Sequence, residues 1–184
     1  MQTKPRWFTL SGLFPHNRAN HRSWKTKENI IRISKVTTKT SDCGYTLLGC
    51  QLVQKGHPAI DLLGDLDELN CHLGNIKGCE GIQDFIFEIS AAVYKGEDWV
   101  NSQRYTEEME YTINTLNDGL QPLKEFIRPS GNIHLARSVC RRCERKAWAL
   151  DSSKNYNIYL NRLSDFLFVL ARTLSKEEQY WSRS

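Results

Sequence analysis

Leu160, Leu163, Leu167, Leu170 and Leu174 recur every three or four positions near the end of this chain. That period puts all five on one side of a helix, whereas a strand would throw them onto both faces of a sheet. The seam predicts a helix over 157–179. The same spacing recurs upstream. Leu66, Leu69, Leu73 and Ile76 mark a helix over 65–76, and Ile82, Phe85, Ile86, Ile89 and Val93 mark one over 82–94. Met109, Ile113 and Leu116 line a helix over 105–118, and Leu135, Ala136, Val139, Ala147 and Leu150 line one over 133–151. Each amphipathic helix must bury its stripe against another element. Five of them with short connections predict an all-α fold, a five-helix up-down bundle of the ferritin-like kind. Ahead of them, VTTKTSDCGYTLLGCQLVQKG at 36–56 is punctuated by Gly44, Gly49 and Gly56. It reads as an irregular N-terminal loop or extended strand.

Charge divides the chain into a leader, 1–32, and a body, 33–181. The net charge is +4, yet residues 1–27 hold Lys4, Arg6, Arg18, Arg22, Lys25 and Lys27 and no acid. Without those six, 19 basic residues face 21 acidic ones, or −2. The basicity therefore belongs to the leader, which argues against nucleic acid as a partner of the body. A basic leader, acid-free over residues 1–27 and with scattered apolar residues, fits a mitochondrial transit peptide; the competing reading is a disordered basic tail. No apolar run is long enough to span a bilayer. Of the six cysteines, Cys140 and Cys143 form a lone CxxC with no second pair or His pair to complete a zinc set, so free packing thiols are expected and no metal ligand is assigned.

Against that body charge, GNIHLARSVCRRCERKAWAL at 131–150 is conspicuous. At about 100° per residue, His134, Arg137, Arg141 and Glu144 fall on one side of the helix, and Arg142 points away. On the last helix Asn161, Asp165 and Arg172 share a face, with Arg162 placed to pair with Asp165 at i,i+3. Guanidinium forks bind phosphate oxygens bidentately. Two helices presenting guanidinium, carboxylate and amide groups thus suggest a polyphosphate site, although a solvated charged face gives the same pattern. In TKTSDCGYT at 38–46, hydroxyls and Gly44 would let backbone N–H groups converge on an anion. No GK[ST] follows, so it is not a P-loop.

These segments resemble the PduO-type ATP:cob(I)alamin adenosyltransferases. TKTSDCGYTLL at 38–48 is similar to the family's opening loop TRTGDKGTTSL, and GDLDELN at 64–70 matches its G-x-x-DELN signature. HLARSVCRRCER at 134–145 and YLNRLSDFLFVLAR at 159–172 are the longest and most specific matches. The resemblance spans about residues 33–181. It implies a five-helix bundle assembled as a homotrimer, with sites between subunits, that transfers the 5′-deoxyadenosyl group of ATP to cobalamin and releases triphosphate. ATP and cob(I)alamin are then substrates, Mg2+ accompanies the triphosphate, and a reductase or a cobalamin-dependent acceptor enzyme is a possible partner.

By resemblance, Arg137 pairs with Asp67 of an adjoining subunit, Arg141 contacts the phosphates and the departing triphosphate, and Glu144 holds the arginines or positions the metal–nucleotide. Asn161 contacts the nucleotide, with Arg162 and Asp165 as support. Thr38, Lys39, Thr40, Asp42, Gly44 and Thr46 would wrap it. Phe126 would close the lower face of the corrin. In a helix starting at 65, Asp67 and Glu68 would lie in a first turn, where the dipole favours acids in any case. Lone His134 reads as a hydrogen-bonded structural residue.

The family pattern is broken in two places. Ser41 stands where a glycine is usual and Cys43 where a lysine is usual, which removes a positive charge from the loop. FIRPSGNIHLAR at 126–137 is about five residues shorter than its counterpart, more than one turn of ~3.6 residues. A non-catalytic relative that carries cobalamin or nucleotide is the alternative that these departures raise. RNA binding through Arg141, Arg142, Arg145 and Lys146 is a weaker one.

Overall fold

In a computed structural model of the chain, the described residues are 39, 41–175 and 177–181. The leader, Thr38 and Thr40 lie outside them, and so does the transit-peptide reading. The body is a bundle of five helices: α1 (Pro58–Gly74), α2 (Glu80–Lys95), α3 (Ser102–Asn117), α4 (Gly131–Leu150) and α5 (Tyr156–Leu174). Two short ribbons accompany them. Strands β1 (Tyr45–Leu48) and β2 (Gln51–Gln54) form an antiparallel hairpin, and β3 (Phe126–Ile127) pairs antiparallel with β4 (Tyr180–Trp181).

Helices α4 and α5 form the centre. α4 packs on both α1 and α5, α3 covers α5, and α2 covers α1. The apolar stripes supply the core: Leu62, Leu66, Leu69 and Leu73 from α1 and Leu160, Leu163, Phe166 and Leu167 from α5 are fully buried. At roughly 1.5–3 kcal/mol for each large apolar side chain removed from water, these stripes decide the fold. An aromatic cluster seals one end. Phe85 lies 4.0 Å from Tyr105, and Trp99 meets Tyr159 edge-on at 4.9 Å. α2 ends at Gly96 with φ of 71°, a left-handed cap that suits glycine.

Helix boundaries depart from the sequence reading at two ends. α1 starts seven residues before position 65, at Pro58, because the His57 Nδ1 caps it by accepting from the Ala59 N–H at 3.2 Å and proline takes the first turn. Asp67 is therefore mid-helical, and the dipole explanation for its position falls away. α5 stops at Leu174 and not at 179. Beyond it Tyr180–Trp181 pairs with β3, with Arg128 N–H donating to Gln179 O at 2.7 Å. The loop at 36–56 is ordered into the hairpin over its second half. Gly44, at φ of 83°, carries the turn that closes back on Ser41.

Candidate functional site

The basic residues of α4 divide into two sets with different jobs. On one side Arg142 donates to Asp65 at 3.0 Å and also pairs with Glu68, while Lys146 bridges Asp61 and Asp65 at 2.7 and 2.8 Å. This ladder ties α4 to α1. It pairs Arg142 and Lys146, two of the four cations of the RNA-binding reading, and leaves Arg141 and Arg145 exposed, and it confirms that Arg142 points away from the Arg137 side. Burial acts to raise the Asp65 carboxyl, but the hydrogen bonds from Lys146 and Arg142 outweigh it and hold the group below its usual value.

The other side carries the predicted site. Arg137 is half-buried, its guanidinium over the Phe168 ring at 5.7 Å, and its Nε is buried without a hydrogen-bond partner. Burial and the neighbouring Arg141 push its affinity for a proton down. Arg141, one turn on, is exposed. The His134 ring meets Phe168 edge-on at 6.2 Å, and its Nδ1 has no partner, so the expectation of a hydrogen-bonded structural histidine fails at that nitrogen. Burial first, and then Arg137, lower its pKa.

From α5, Asn161 donates to Glu144 at 3.0 Å and accepts from Arg162 at 2.6 Å. Arg162 lies 3.7 Å from Asp165, as the i,i+3 spacing predicted. Asp165 is raised above its usual value, chiefly by burial and also by Glu144, with Arg162 and Arg141 acting against. Arg137, Arg141, Glu144, Asn161, Arg162 and Asp165 thus form one polar face across α4 and α5. Arg172 does not join it. Although it lies on the same side of the helix, it is buried and holds Glu178 at 2.7 Å and the Gln121 carbonyl at 2.8 Å, so it pins the C-terminal tail.

The remaining predicted residues lie elsewhere in the protomer. Asp67 is exposed on α1. Lys39, Asp42 and Gly44 are exposed and Thr46 is half-buried, and among the described residues none of the four bonds to the arginine face. Instead the hairpin is tethered to α2, where the Tyr94 hydroxyl donates to Gly49 O at 3.3 Å. Lys39 has a positive φ of 60°. Phe126 is 79% exposed on β3, with the Trp181 ring 6.3 Å away. The CxxC thiols are packing groups as expected: Cys140 donates to Leu160 O at 3.2 Å, and burial pushes the Cys143 thiol up to about 12. Among the described residues no cluster of His, Cys, Asp or Glu could hold a metal ion, and no helix is long and apolar enough to cross a membrane.

Two residues of this face escaped sequence reasoning. Phe168, whose ring both Arg137 and His134 meet, lies inside an apolar run that gave no sign of it. Glu110 on α3 accepts from Arg162 Nε at 2.6 Å. Its distance in sequence left no local signal.

The model of the family described as Cobalamin adenosyltransferase matches residues 36–174. A cobalamin adenosyltransferase of Cupriavidus metallidurans is 34% identical over 166 residues, covering 79% of this chain and 90% of its own length. A corrinoid adenosyltransferase of Mus musculus is 31% identical over 179 residues, covering 80% of this chain and 75% of its own length. Among solved structures, a variant of the PduO-type ATP:corrinoid adenosyltransferase from Lactobacillus reuteri, complexed with cobalamin and ATP, matches with a TM-score of 0.73 at 24% identity over 81% of this chain and 100% of that one. At that identity the likeness speaks for the fold. The matched span runs from the N-terminal loop through both helices of the polar face, and the chain belongs to the cobalamin adenosyltransferase family.

Proposed function

We propose that the polar face of α4 and α5 binds the triphosphate of ATP and that a second copy of the chain completes the site. The chain transfers the 5′-deoxyadenosyl group of ATP to cob(I)alamin, giving adenosylcobalamin and triphosphate, a reading that family membership supports. In that reaction the cobalt–carbon bond forms at the ribose C5′ as the C5′–oxygen bond breaks, and the leaving group departs with its electron pair.

The observation that carries this reading is Arg137, whose buried Nε has no partner within the protomer and sits beside a second arginine. Two adjacent guanidiniums, one of them partly desolvated, are unfavourable until an anion arrives. A carboxylate from a neighbouring copy answers one of them, and Asp67, exposed and mid-helical on α1, is the group we assign. Triphosphate answers the other through Arg141. Charge that develops on the leaving group meets a donor already in place, which is often the largest single term in catalysis. Glu144 and Asn161 fix each other and hold the nucleotide, with Arg162 and Asp165 behind them. Lys39, Asp42, Gly44 and Thr46, with Thr38 and Thr40, reach the nucleotide bound at the neighbouring face.

Phe126 closes the lower side of the corrin, and its exposure leaves it free to do so. Mg2+ would accompany the triphosphate, as the family resemblance implies. A closed ring of copies repeats one such seam without leaving an open edge, and the family resemblance favours the threefold ring, a homotrimer. The basic leader, free of acids over residues 1–27, supports a mitochondrial matrix location, which a reporter fused to residues 1–32 would test.

Purified protein mixed with ATP and chemically reduced cobalamin, followed at the corrin absorption bands, tests the function. Conversion to adenosylcobalamin is expected. Binding without conversion would instead favour the carrier reading that Cys43 and Ser41 raise.

A further inference from the structure

We infer that Glu110 of α3 is a positioning residue for the α4–α5 face, acting through Arg162 on the Asn161 amide. The chain of contacts is continuous: Glu110 accepts from Arg162 Nε at 2.6 Å, Arg162 Nη1 donates to Asn161 Oδ1 at 2.6 Å, and Asn161 Nδ2 donates to Glu144 at 3.0 Å. Three helices meet in it.

Its chemistry follows from what each group can offer. A free amide can present either end. Here Arg162 occupies the Asn161 oxygen, so only the Nδ2 side can face Glu144, and that carboxylate is held by a donor and not by repulsion. Arg162 has a second carboxylate in reach, Asp165 at 3.7 Å on its own helix. Without Glu110, the guanidinium would swing toward Asp165 and release the amide. Asp165 already titrates above its usual value because of burial and Glu144, so a closer Arg162 would be favoured there. Glu110 therefore decides which of two positions Arg162 takes, and with it the orientation of Asn161.

The kinetic half of this role rests on the transfer reaction proposed above, but the geometric half does not. The test is Glu110→Gln, alone and with Arg162→Ala, in the full chain. The side-chain amide resonances of Asn161, identified by their loss in Asn161→Asp, should shift or broaden in Glu110→Gln while other Asn amides stay in place. The same variant should lower kcat/KM for ATP about three- to ten-fold, the range of a partly exposed charged hydrogen bond. In the Arg162→Ala background it should lower it no further, and Glu110→Asp should recover part of the loss. Unmoved Asn161 resonances, or losses that multiply in the double variant, would overturn the inference. A wild-type protein that fails to convert cobalamin would sink the transfer reading, and the amide resonances would still decide the role of Glu110.

Discussion

The Arg137 guanidinium lies over the Phe168 ring at 5.7 Å with its Nε buried and unpaired. An aromatic face contributes about 0.5–1 kcal/mol to holding such a cation, which orients it without neutralising it. The pairing is assigned to Asp67 of another copy. Asp67→Asn should therefore weaken subunit association about ten-fold or more, as loss of one partner of a desolvated charge pair does. Sedimentation at graded concentrations would show this together with a fall in activity. An intact, fully active assembly would rule out the pairing.

Arg141 is exposed, so its removal leaves no cavity and no orphaned charge in the fold. Arg141→Ala should cut kcat by about 100-fold or more, the scale of losing one preorganised donor to a developing anion. Its melting temperature should stay within a degree or two of wild type, because surface substitutions seldom change stability by more than ~0.5 kcal/mol. Unchanged turnover would remove the polyphosphate role.

Apolar periodicity located all five helices, because each had to bury one stripe whatever its neighbours were. What it could not reveal depends on contacts between distant residues. His57 is an unusual helix cap, so the first two turns of α1 went unread. Glu177 and Glu178 are good helix formers by propensity, yet Glu178 is taken by Arg172 and the tail is drawn into pairing with Phe126 and Ile127. The arginine face was legible from spacing on α4 and α5. Its dependence on Glu110 was not, since nothing local couples positions 110 and 162. The two jobs of the α4 arginines were visible only as a direction on the helix, and Asp65 and Glu68 supplied the meaning.

The exposed loop offers a gain-of-function check. Cys43 is exposed and lies one residue before the Gly44 turn. Cys43→Lys should tighten ATP binding about three- to five-fold, the order of one exposed charge pair. Titration calorimetry would measure it. Unaltered affinity would mean that the loop does not pass the triphosphate.

The α1–α4 ladder predicts a pH dependence of stability separate from catalysis. Asp65 binds protons less readily in the folded protein than its ordinary value of 3.8. A depressed carboxyl contributes stability above its unfolded pKa, about 3.9, and that contribution is lost as pH falls through the folded value. Wild type should thus lose melting temperature more steeply below about pH 4 than Arg142→Ala combined with Lys146→Ala. At pH 7 the double variant should lose about 1–3 kcal/mol, since Asp65 is left buried without a partner. Equal acid slopes would contradict the ladder's role.

The shared seam is tested most directly by mixing two crippled copies. Asp67→Asn and Arg141→Ala chains, each almost inactive alone, would be coexpressed and assayed together at the corrin bands. If each site takes Asp67 from one copy and Arg141 from another, random pairing around a closed ring regenerates about a quarter of the sites intact, and activity should return toward that level. No recovery at any ratio would contradict a site built between copies.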